Sequence, residues 1–191
     1  CILSEVFILL QIRFRRCSLP NHLRNKKQGE LNMKKINTAA IAITGITAAI
    51  YAVATLAISP IAYGSVQFRI SEIMVLLPWI NPIFAPGLIL GCAIANMFSP
   101  LGLIDVAFGT FHTFCSVMMI KRTKNMVAAS LWPTILSFII GLELYLVYSS
   151  PFIVSTLWVM LGEFICITCI GCPVFKLITK NSSVMRKLQS Y

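Results

Sequence analysis

The sequence predicts an all-α integral membrane protein with six transmembrane helices, and three observations carry this prediction. Hydrophobic residues make up 58% of the 191 residues, and the mean hydropathy is +0.84. Charged residues account for 12%, about half of the roughly 25% that is typical of soluble domains. Apolar stretches near 20 residues long, about the length that spans a bilayer, alternate with short polar or proline-containing breaks. The composition therefore indicates one membrane domain of several spans.

Basic residues flank the apolar stretches in three groups. Residues 1–35 hold eight of the 16 Lys and Arg, residues 121–124 hold three, and residues 176–191 hold four. This distribution follows the positive-inside rule, whereas nucleic-acid binding needs a basic face on a folded surface. All three groups are predicted to be cytoplasmic, which requires an even number of spans between them. Four spans fit residues 36–120 and two fit 125–175, so both termini are predicted to be cytoplasmic in a multi-pass protein of the cell membrane.

The chain divides into three predicted regions. Residues 1–32 are predicted to be a translated leader or a disordered basic segment, because Met33-Lys34-Lys35 resembles a natural start. The codons of Gln28-Gly29-Glu30 also suit a purine-rich ribosome-binding site just upstream. Residues 33–180 are predicted to form the six-span domain, and residues 181–191 a cytoplasmic tail.

Prolines and caps set the predicted limits of the spans. Asn81-Pro82 is a predicted break, and Ser99-Pro100 and Ser150-Pro151 each place a serine at a helix N-cap with proline in the first turn. Pro133 predicts a kink inside the fifth span. The predicted spans are Thr38–Ile58, Gln67–Trp79, Ile83–Phe98, Pro100–Ile120, Met126–Tyr148, and Pro151 to a point near Pro173 and Lys176.

Small residues follow one another at one-turn spacing along the first span. They are Gly45, Ala48, Ala49 and Ala52. Small side chains at this spacing allow another helix to approach closely. The pattern predicts a docking face for a second membrane protein, and ordinary packing within the chain is the alternative.

Six polar residues interrupt the apolar spans: Arg69, Glu72, Asn96, Asp105, Glu143 and Glu163. With the predicted topology, all of them fall in the outer half of the membrane or at its midplane. Glu163, for example, lies about 18 Å below the start of its span at 1.5 Å per residue. Ionisable residues are costly inside a membrane and mark functional sites. The sequence therefore predicts a polar substrate-binding pocket open to the outside; a structural ion pair between Arg69 and Glu72, three residues apart, is the alternative for those two.

The chemistry of this predicted pocket is acidic, because four carboxylates accompany one arginine. Such a site suits a cation or a ligand rich in N–H donors. A metal site is not predicted: Cys166, Cys169 and Cys172 spread over 240° of an α-helix at 100° per residue. His112 is predicted to pack or to make an interhelical hydrogen bond. The sequence holds no nucleotide-binding P-loop and no hydrolase or metalloprotease motif, so neither catalytic residues nor a cofactor is predicted.

Four motifs resemble one known family of membrane proteins. They are Ser59–Glu72 (SPIAYGSVQFRISE), Gly91–Asp105 (GCAIANMFSPLGLID), Gly141–Glu143 (GLE) and Leu161–Glu163 (LGE). The chain is similar, from about Met33 to Lys180, to the QueT family, whose members are substrate-binding (S) components of energy-coupling-factor (ECF) transporters.

The resemblance implies a six-helix bundle with an extracellular pocket. It also implies three partners, namely a transmembrane coupling subunit and two cytoplasmic ATPases. The implied substrate is a queuosine precursor such as 7-aminomethyl-7-deazaguanine. The ring of this molecule offers a fork of N–H donors to one carboxylate, and its aminomethyl cation suits a second carboxylate.

Three other functions remain open at this point. An S component of the same fold could bind another vitamin or a small cation. Membrane-embedded catalysis and transport by a stand-alone carrier belong to other classes. Binding without turnover separates an S component from an enzyme, and transport in liposomes without an ATPase identifies a carrier.

Overall fold

A computed structural model describes residues 38–62 and 68–189, and every regular element within them is a helix. The predicted all-α class is therefore confirmed for these residues, whereas the predicted leader, residues 1–32, lies outside them. In chain order the elements are α1 (Thr38–Ala57), α2 (Ser59–Ala62), a 3-10 helix (Ile70–Leu76), α3 (Leu77–Ile80), a 3-10 turn (Pro82–Phe84), α4 (Ala85–Asn96), α5 (Leu103–Ile120), α6 (Met126–Leu136), α7 (Phe138–Tyr148), α8 (Phe152–Glu163), a π-helical segment (Phe164–Gly171), α9 (Cys172–Lys180) and α10 (Ser182–Gln189).

Four helical stretches are long and apolar enough to cross a membrane: Thr38–Ala57, Leu103–Ile120, Met126–Tyr148 and Phe152–Lys180. They correspond to the predicted first, fourth, fifth and sixth spans. The predicted second and third spans are shorter apolar helices, Ile70–Ile80 and Pro82–Asn96, below the roughly 17 residues that a straight crossing needs. A multi-pass arrangement is therefore supported, and the count of six spans stays a prediction.

The predicted second span, Gln67–Trp79, is wrong as a single helix. It consists of the 3-10 helix Ile70–Leu76 followed by the short α3. Pro78 lacks the N–H that a continuous α-helix would donate to the carbonyl of Met74, so the α-helical pattern cannot run through this point. The Leu77 N–H donates to that carbonyl instead. The predicted break at Asn81-Pro82 is confirmed, and the Asn81 side chain accepts a hydrogen bond from the Ile83 N–H at 3.1 Å.

Both predicted Ser-Pro helix starts are wrong. The Ser99 hydroxyl accepts from the Leu101 N–H at 3.3 Å within a turn. Helix α5 begins only after Gly102, whose φ of 58° and ψ of −128° suit glycine and interrupt the helix. At the second pair, α8 begins at Phe152 with Pro151, not Ser150, at the N-cap. Ser99-Pro100 thus lies in a turn and Ser150-Pro151 in an irregular connection, and each helix starts two or more residues after the serine.

The fifth span is interrupted, as Pro133 predicts. The interruption lies at Ser137, between α6 and α7, one turn after the proline. The Pro133 carbonyl accepts hydrogen bonds from the Ser137 hydroxyl and from His112 Nε2, both at 3.0 Å. The predicted interhelical hydrogen bond of His112 is therefore confirmed, and it ties α5 to the break in the neighbouring span.

The sixth span is longer and less regular than predicted. It continues from α8 through a π-helical segment into α9, which ends at Lys180, beyond the predicted end near Pro173 and Lys176. Wider π-helical turns often occur at functional sites. Cys166 and Cys172 are buried and Cys169 is exposed, and all three are free thiols.

One end of the bundle brings the predicted cytoplasmic segments together. Met126, at the start of α6, packs against the cluster that contains Cys172 and Phe175 of α9, and Ile80 of α3 packs against the same cluster. The Asn81 amide donates to the carbonyl of Leu188 in α10 at 2.9 Å. The predicted tail, residues 181–191, thus contains a helix that contacts the loop between the second and third apolar segments.

Candidate functional site: a buried polar cluster

The six predicted site residues are all buried, although five of them are charged. Their exposed fractions are 5% for Arg69, 2% for Glu72, 0% for Asn96, 1% for Asp105, 0% for Glu143 and 5% for Glu163. None of these side chains therefore faces lipid. All four acidic residues of the sequence after residue 30 belong to this set.

Helix directions place the cluster away from the end that holds Met126 and Leu188. Asn96 ends α4, Asp105 lies in the first turn of α5, and Glu143 lies in the second half of the Met126–Tyr148 span. The α5 helix then runs toward Ile120, next to the basic residues 121–124. Asn96, Asp105 and Glu143 thus lie in the half of the bundle opposite the basic loop at residues 121–124.

Arg69 is the centre of the cluster. Its guanidinium lies 3.7 Å from a carboxylate oxygen of Asp105, and its Nε donates to the Ala62 carbonyl at 3.3 Å. The ion pair that Arg69 forms is thus with Asp105, whereas the alternative considered from the sequence was a pair with Glu72. The reason is local: Arg69 has extended backbone angles (φ −108°, ψ 102°) and precedes the 3-10 helix, so the two side chains do not share a helical face.

Glu72 instead accepts a hydrogen bond from the phenol of Tyr51. Thr55 lies one turn after Tyr51 on α1, and its hydroxyl is hydrogen-bonded at 2.6 Å to the hydroxyl of Ser71 on the 3-10 helix. Sequence reasoning missed Tyr51, because a tyrosine in a helix of aliphatic and small residues is typical of an interface anchor. The available signal was the pair Tyr51 and Thr55, which places two hydroxyls on one face.

Asn96 joins α4 to α5. Its amide nitrogen donates to the Asp105 carbonyl at 3.1 Å and to the Cys92 sulfur at 3.4 Å. The Cys92 sulfur also accepts from Thr113 at 3.1 Å. A Cβ on Gly109 would overlap the Asn96 amide, so this position of α5 has room only for glycine. Cys92, Thr113 and Gly109 were not predicted, since each is common in ordinary helix packing.

Glu143 and Glu163 complete the cluster from the last two spans. Glu143 interacts electrostatically with Asp105 and Arg69, and Glu163 with Glu72 and Arg69. All four carboxylates thus belong to one electrostatically connected cluster, in which the Arg69–Asp105 pair is at 3.7 Å. Among the described residues, neither oxygen of Glu143 has a hydrogen-bond partner, and the same holds for one oxygen of Glu163 and of Glu72.

The four predicted docking residues form two pairs that differ in burial. Ala48 and Ala52 are buried in the core against α4, whereas Gly45 and Ala49 are exposed. A Cβ on Gly91 of α4 would lie 2.8 Å from the Ala48 carbonyl oxygen. Docking through Ala48 and Ala52 is therefore wrong, because internal packing already uses them. Gly45 and Ala49 stay as predicted docking residues, and a Cβ on Gly45 would meet no atom within 4 Å.

An apolar groove lies outside the buried polar cluster, and the described residues contain no candidate metal site. An open apolar groove between α7 and α8 is lined by Leu142, Tyr145, Pro151, Phe152, Ile153 and Val154, none of which belongs to the cluster. Within the part of the chain that the structure describes, no group of three or more His, Cys, Asp and Glu side chains could hold a metal ion.

Comparison with known proteins agrees with the resemblance seen in the motifs. The model of the QueT transporter family matches residues 41–180. A protein of Lactococcus lactis subsp. cremoris (strain MG1363), named queuosine precursor transporter QueT, is 30% identical over 149 residues, which cover 69% of this chain and 88% of the relative. No solved structure matches the chain significantly. Since the family model covers most of the helical bundle and its four long apolar helices, the chain is a multi-pass membrane protein that belongs to the QueT family of transporters.

Proposed function

We propose that this chain is the membrane-embedded substrate-binding component of an ECF importer and that its substrate is a queuosine precursor of the 7-deazaguanine class. The relative from Lactococcus lactis is named as a transporter of such a precursor. In this role the chain binds and releases its substrate unchanged, without catalysis.

The buried polar cluster is the observation that carries the proposal. Arg69, Glu72, Asn96, Asp105, Glu143 and Glu163 converge from separate helical elements, and several of their acceptor oxygens have no hydrogen-bond partner in the described part of the chain. Burying an unpaired carboxylate costs several kcal/mol, on the order of what a bound donor would recover. The fork of N–H donors on a 7-deazaguanine matches such acceptors.

The proposed partners are a transmembrane coupling subunit and two ATPase subunits. The sequence has no P-loop, so the ATP hydrolysis of the proposed importer is assigned to the ATPase subunits. The exposed face of α1 that contains Gly45 and Ala49 is the proposed contact with the coupling subunit. Small exposed residues allow a partner helix to approach closely, and Gly45 leaves open space above the backbone.

Both termini are proposed to be cytoplasmic, with the basic end of the bundle inside. In a cysteine-free background, a membrane-impermeant thiol reagent applied to intact cells should label Ser149→Cys, which is exposed in the turn between α7 and α8. The same reagent should not label Lys124→Cys, which is exposed in the basic loop, until the cells are opened. Labelling of Lys124→Cys in intact cells would contradict the proposed orientation.

Substrate binding is testable with purified protein. Calorimetric titration of 7-aminomethyl-7-deazaguanine should give saturable binding to the wild type. Glu72→Gln, Glu143→Gln and Glu163→Gln each replace an acceptor oxygen by a donor, so we expect at least one of them to lower the affinity about ten- to a hundredfold.

The matched control for these variants is Ser130→Ala. Ser130 is buried, but its hydroxyl bonds to the Val127 carbonyl and to Thr168, outside the cluster. We expect it to bind substrate like the wild type. Thermal melting establishes that each variant is folded. The proposed site would be refuted if all three glutamine variants melted normally and bound like the wild type.

A further inference from the structure

Helix α10 (Ser182–Gln189) lies at the basic end of the bundle, and none of its residues, all of which the structure describes, is buried. A helix of eight residues is marginal in water by itself, yet α10 is held at both ends. At its start, the Asn181 side chain accepts from the N–H groups two and three residues later, at 3.1 and 3.4 Å. At its end, the Asn81 amide donates to the Leu188 carbonyl at 2.9 Å. The protein thus fixes the position of α10 without burying it.

Both ends of α10 are attached where apolar segments of the bundle end. The helix follows Lys180, which ends the last long apolar stretch, and Asn81 directly follows the apolar helix that ends at Ile80. Ile80 and Ile178 pack against the same buried cluster, so these two segment ends are neighbours in space. A helix that is tied at both ends to this level runs along the surface of the membrane and does not extend away from it.

The two sides of α10 differ in chemistry. Val184 and Leu188 are four residues apart and share one side, with Met185 beside them. Arg186 and Lys187 lie roughly 200° and 300° around the helix axis from Val184, at about 100° per residue. Both basic residues are exposed, and Val184 is 39% exposed. Separate apolar and basic sides on a helix without buried residues are typical of a helix at a membrane–water interface.

Lipid, and not a soluble acidic protein, is the occupant that these positions favour. Leu177, three residues before Lys180, is 67% exposed within the last apolar stretch, so the hydrocarbon of the bilayer extends to the last turn of α9. Helix α10 begins two residues after Lys180, beside this boundary. Its basic side is then next to the headgroups of the leaflet, where long basic side chains reach the phosphates while their stems stay on apolar surface.

We propose that α10 is an interfacial helix that binds the anionic headgroups of the lipid leaflet at this end of the bundle. The apolar side with Val184 contacts the boundary of the acyl chains, and Lys180, Arg186 and Lys187 contact the lipid phosphates. A basic residue near an anionic membrane surface strengthens binding about fivefold, so three of them together have a large effect. The proposal depends on the membrane location of the chain and is independent of its substrate.

Hydrogen–deuterium exchange of the purified full chain in nanodiscs tests the proposal. We expect the amides of α10 to exchange at least about tenfold more slowly in nanodiscs of phosphatidylglycerol, which is anionic, than in nanodiscs of phosphatidylcholine, which is zwitterionic. The reason is that bound headgroups stabilise the helix against local opening. A triple variant, Lys180→Gln with Arg186→Gln and Lys187→Gln, should lose this difference between the two lipids.

The matched control is a second triple variant, Lys121→Gln with Arg122→Gln and Lys124→Gln. It removes the same number of positive charges from the basic loop between α5 and α6. We expect this variant to retain the slower exchange of α10 in phosphatidylglycerol. Thermal melting establishes that both variants are folded.

Three outcomes would overturn the proposal. Equal exchange of α10 in the two lipids would refute the lipid contact, and this comparison uses the wild type alone. A folded α10 variant that kept the full difference would show that its three basic residues do not bind the headgroups. Loss of the difference in the folded loop variant would assign the anionic lipid to residues 121–124. All three results would leave the proposed substrate site unaffected.

Discussion

Arg69→Met should destabilise the protein more than any other single change in the cluster. Among the described residues, Arg69 is the one buried positive charge beside four buried carboxylates, and its ion pair with Asp105 is almost completely shielded from solvent. Removal of one partner from a buried pair leaves an uncompensated charge and costs about 3–5 kcal/mol. For a chain of this size, that loss corresponds to a decrease in melting temperature of roughly 6–20 °C.

Two further variants identify the cause of the Arg69→Met effect. Asp105→Asn in the Arg69→Met background removes the stranded negative charge, so we expect the double variant to be more stable than Arg69→Met alone. Arg186→Met makes the same change at an exposed position of α10, where surface substitutions shift stability by about 0.5 kcal/mol or less. Melting of the four proteins in one detergent provides the comparison. An Arg69→Met melting temperature equal to that of Arg186→Met would show that the ion pair does not stabilise the fold.

Ala48→Leu should lower the melting temperature and Ala49→Leu should not, although the two residues are neighbours. Ala48 is 2% exposed and lies in contact with the α4 backbone, since a Cβ on Gly91 would come within 3.0 Å of the Ala48 Cα. Leucine at this position overpacks the α1–α4 contact, which costs about 1–3 kcal/mol. Ala49 faces outward, so Ala49→Leu should leave the melting temperature unchanged.

The same pair tests the proposed contact with the coupling subunit. Ala49→Leu adds bulk to the exposed face of α1 and should reduce co-purification with that subunit while substrate binding stays at the wild-type level. Gly45→Ala, where the added methyl group meets no atom within 4 Å, is the milder control within the chain. Normal co-purification of a folded Ala49→Leu protein would mean that this face contacts lipid and not the partner.

The six buried polar residues could be singled out before the structure because the cost of a charge in a membrane depends on the residue type. Glu143 and Glu163 each stand in about 20 apolar residues, where an ionisable group costs roughly 2.5–3.5 kcal/mol and so has to face the interior. The interruption predicted from Pro133 also depends on residue type alone, because proline has no backbone N–H and so removes a hydrogen bond from its own helix. By contrast, the serine hydroxyl before Pro100 and Pro151 can serve a turn as well as a helix, so those two boundaries were misplaced.

The partners of these residues depended on tertiary structure. Arg69 and Glu72 are three residues apart, yet the extended backbone at Arg69 and the position of α5 bring Asp105 to the guanidinium instead. Tyr51 became part of the site only because α1 packs beside the 3-10 helix that carries Glu72.

The sequence by itself determined the helical membrane class, the apolar stretches and the six polar residues that have to face the interior of the bundle. These properties follow from hydropathy and from the local rules of helix formation, which act over one or two turns. Only the tertiary structure decided that Ala48 is packed and Ala49 is exposed, and that Glu72 has a hydrogen-bond partner whereas Glu143 has none among the described residues. The physical reason is that the rotation of one helix against another selects which side chains meet, and this rotation depends on the close contacts of both helices together, such as those of Gly91 with Ala48.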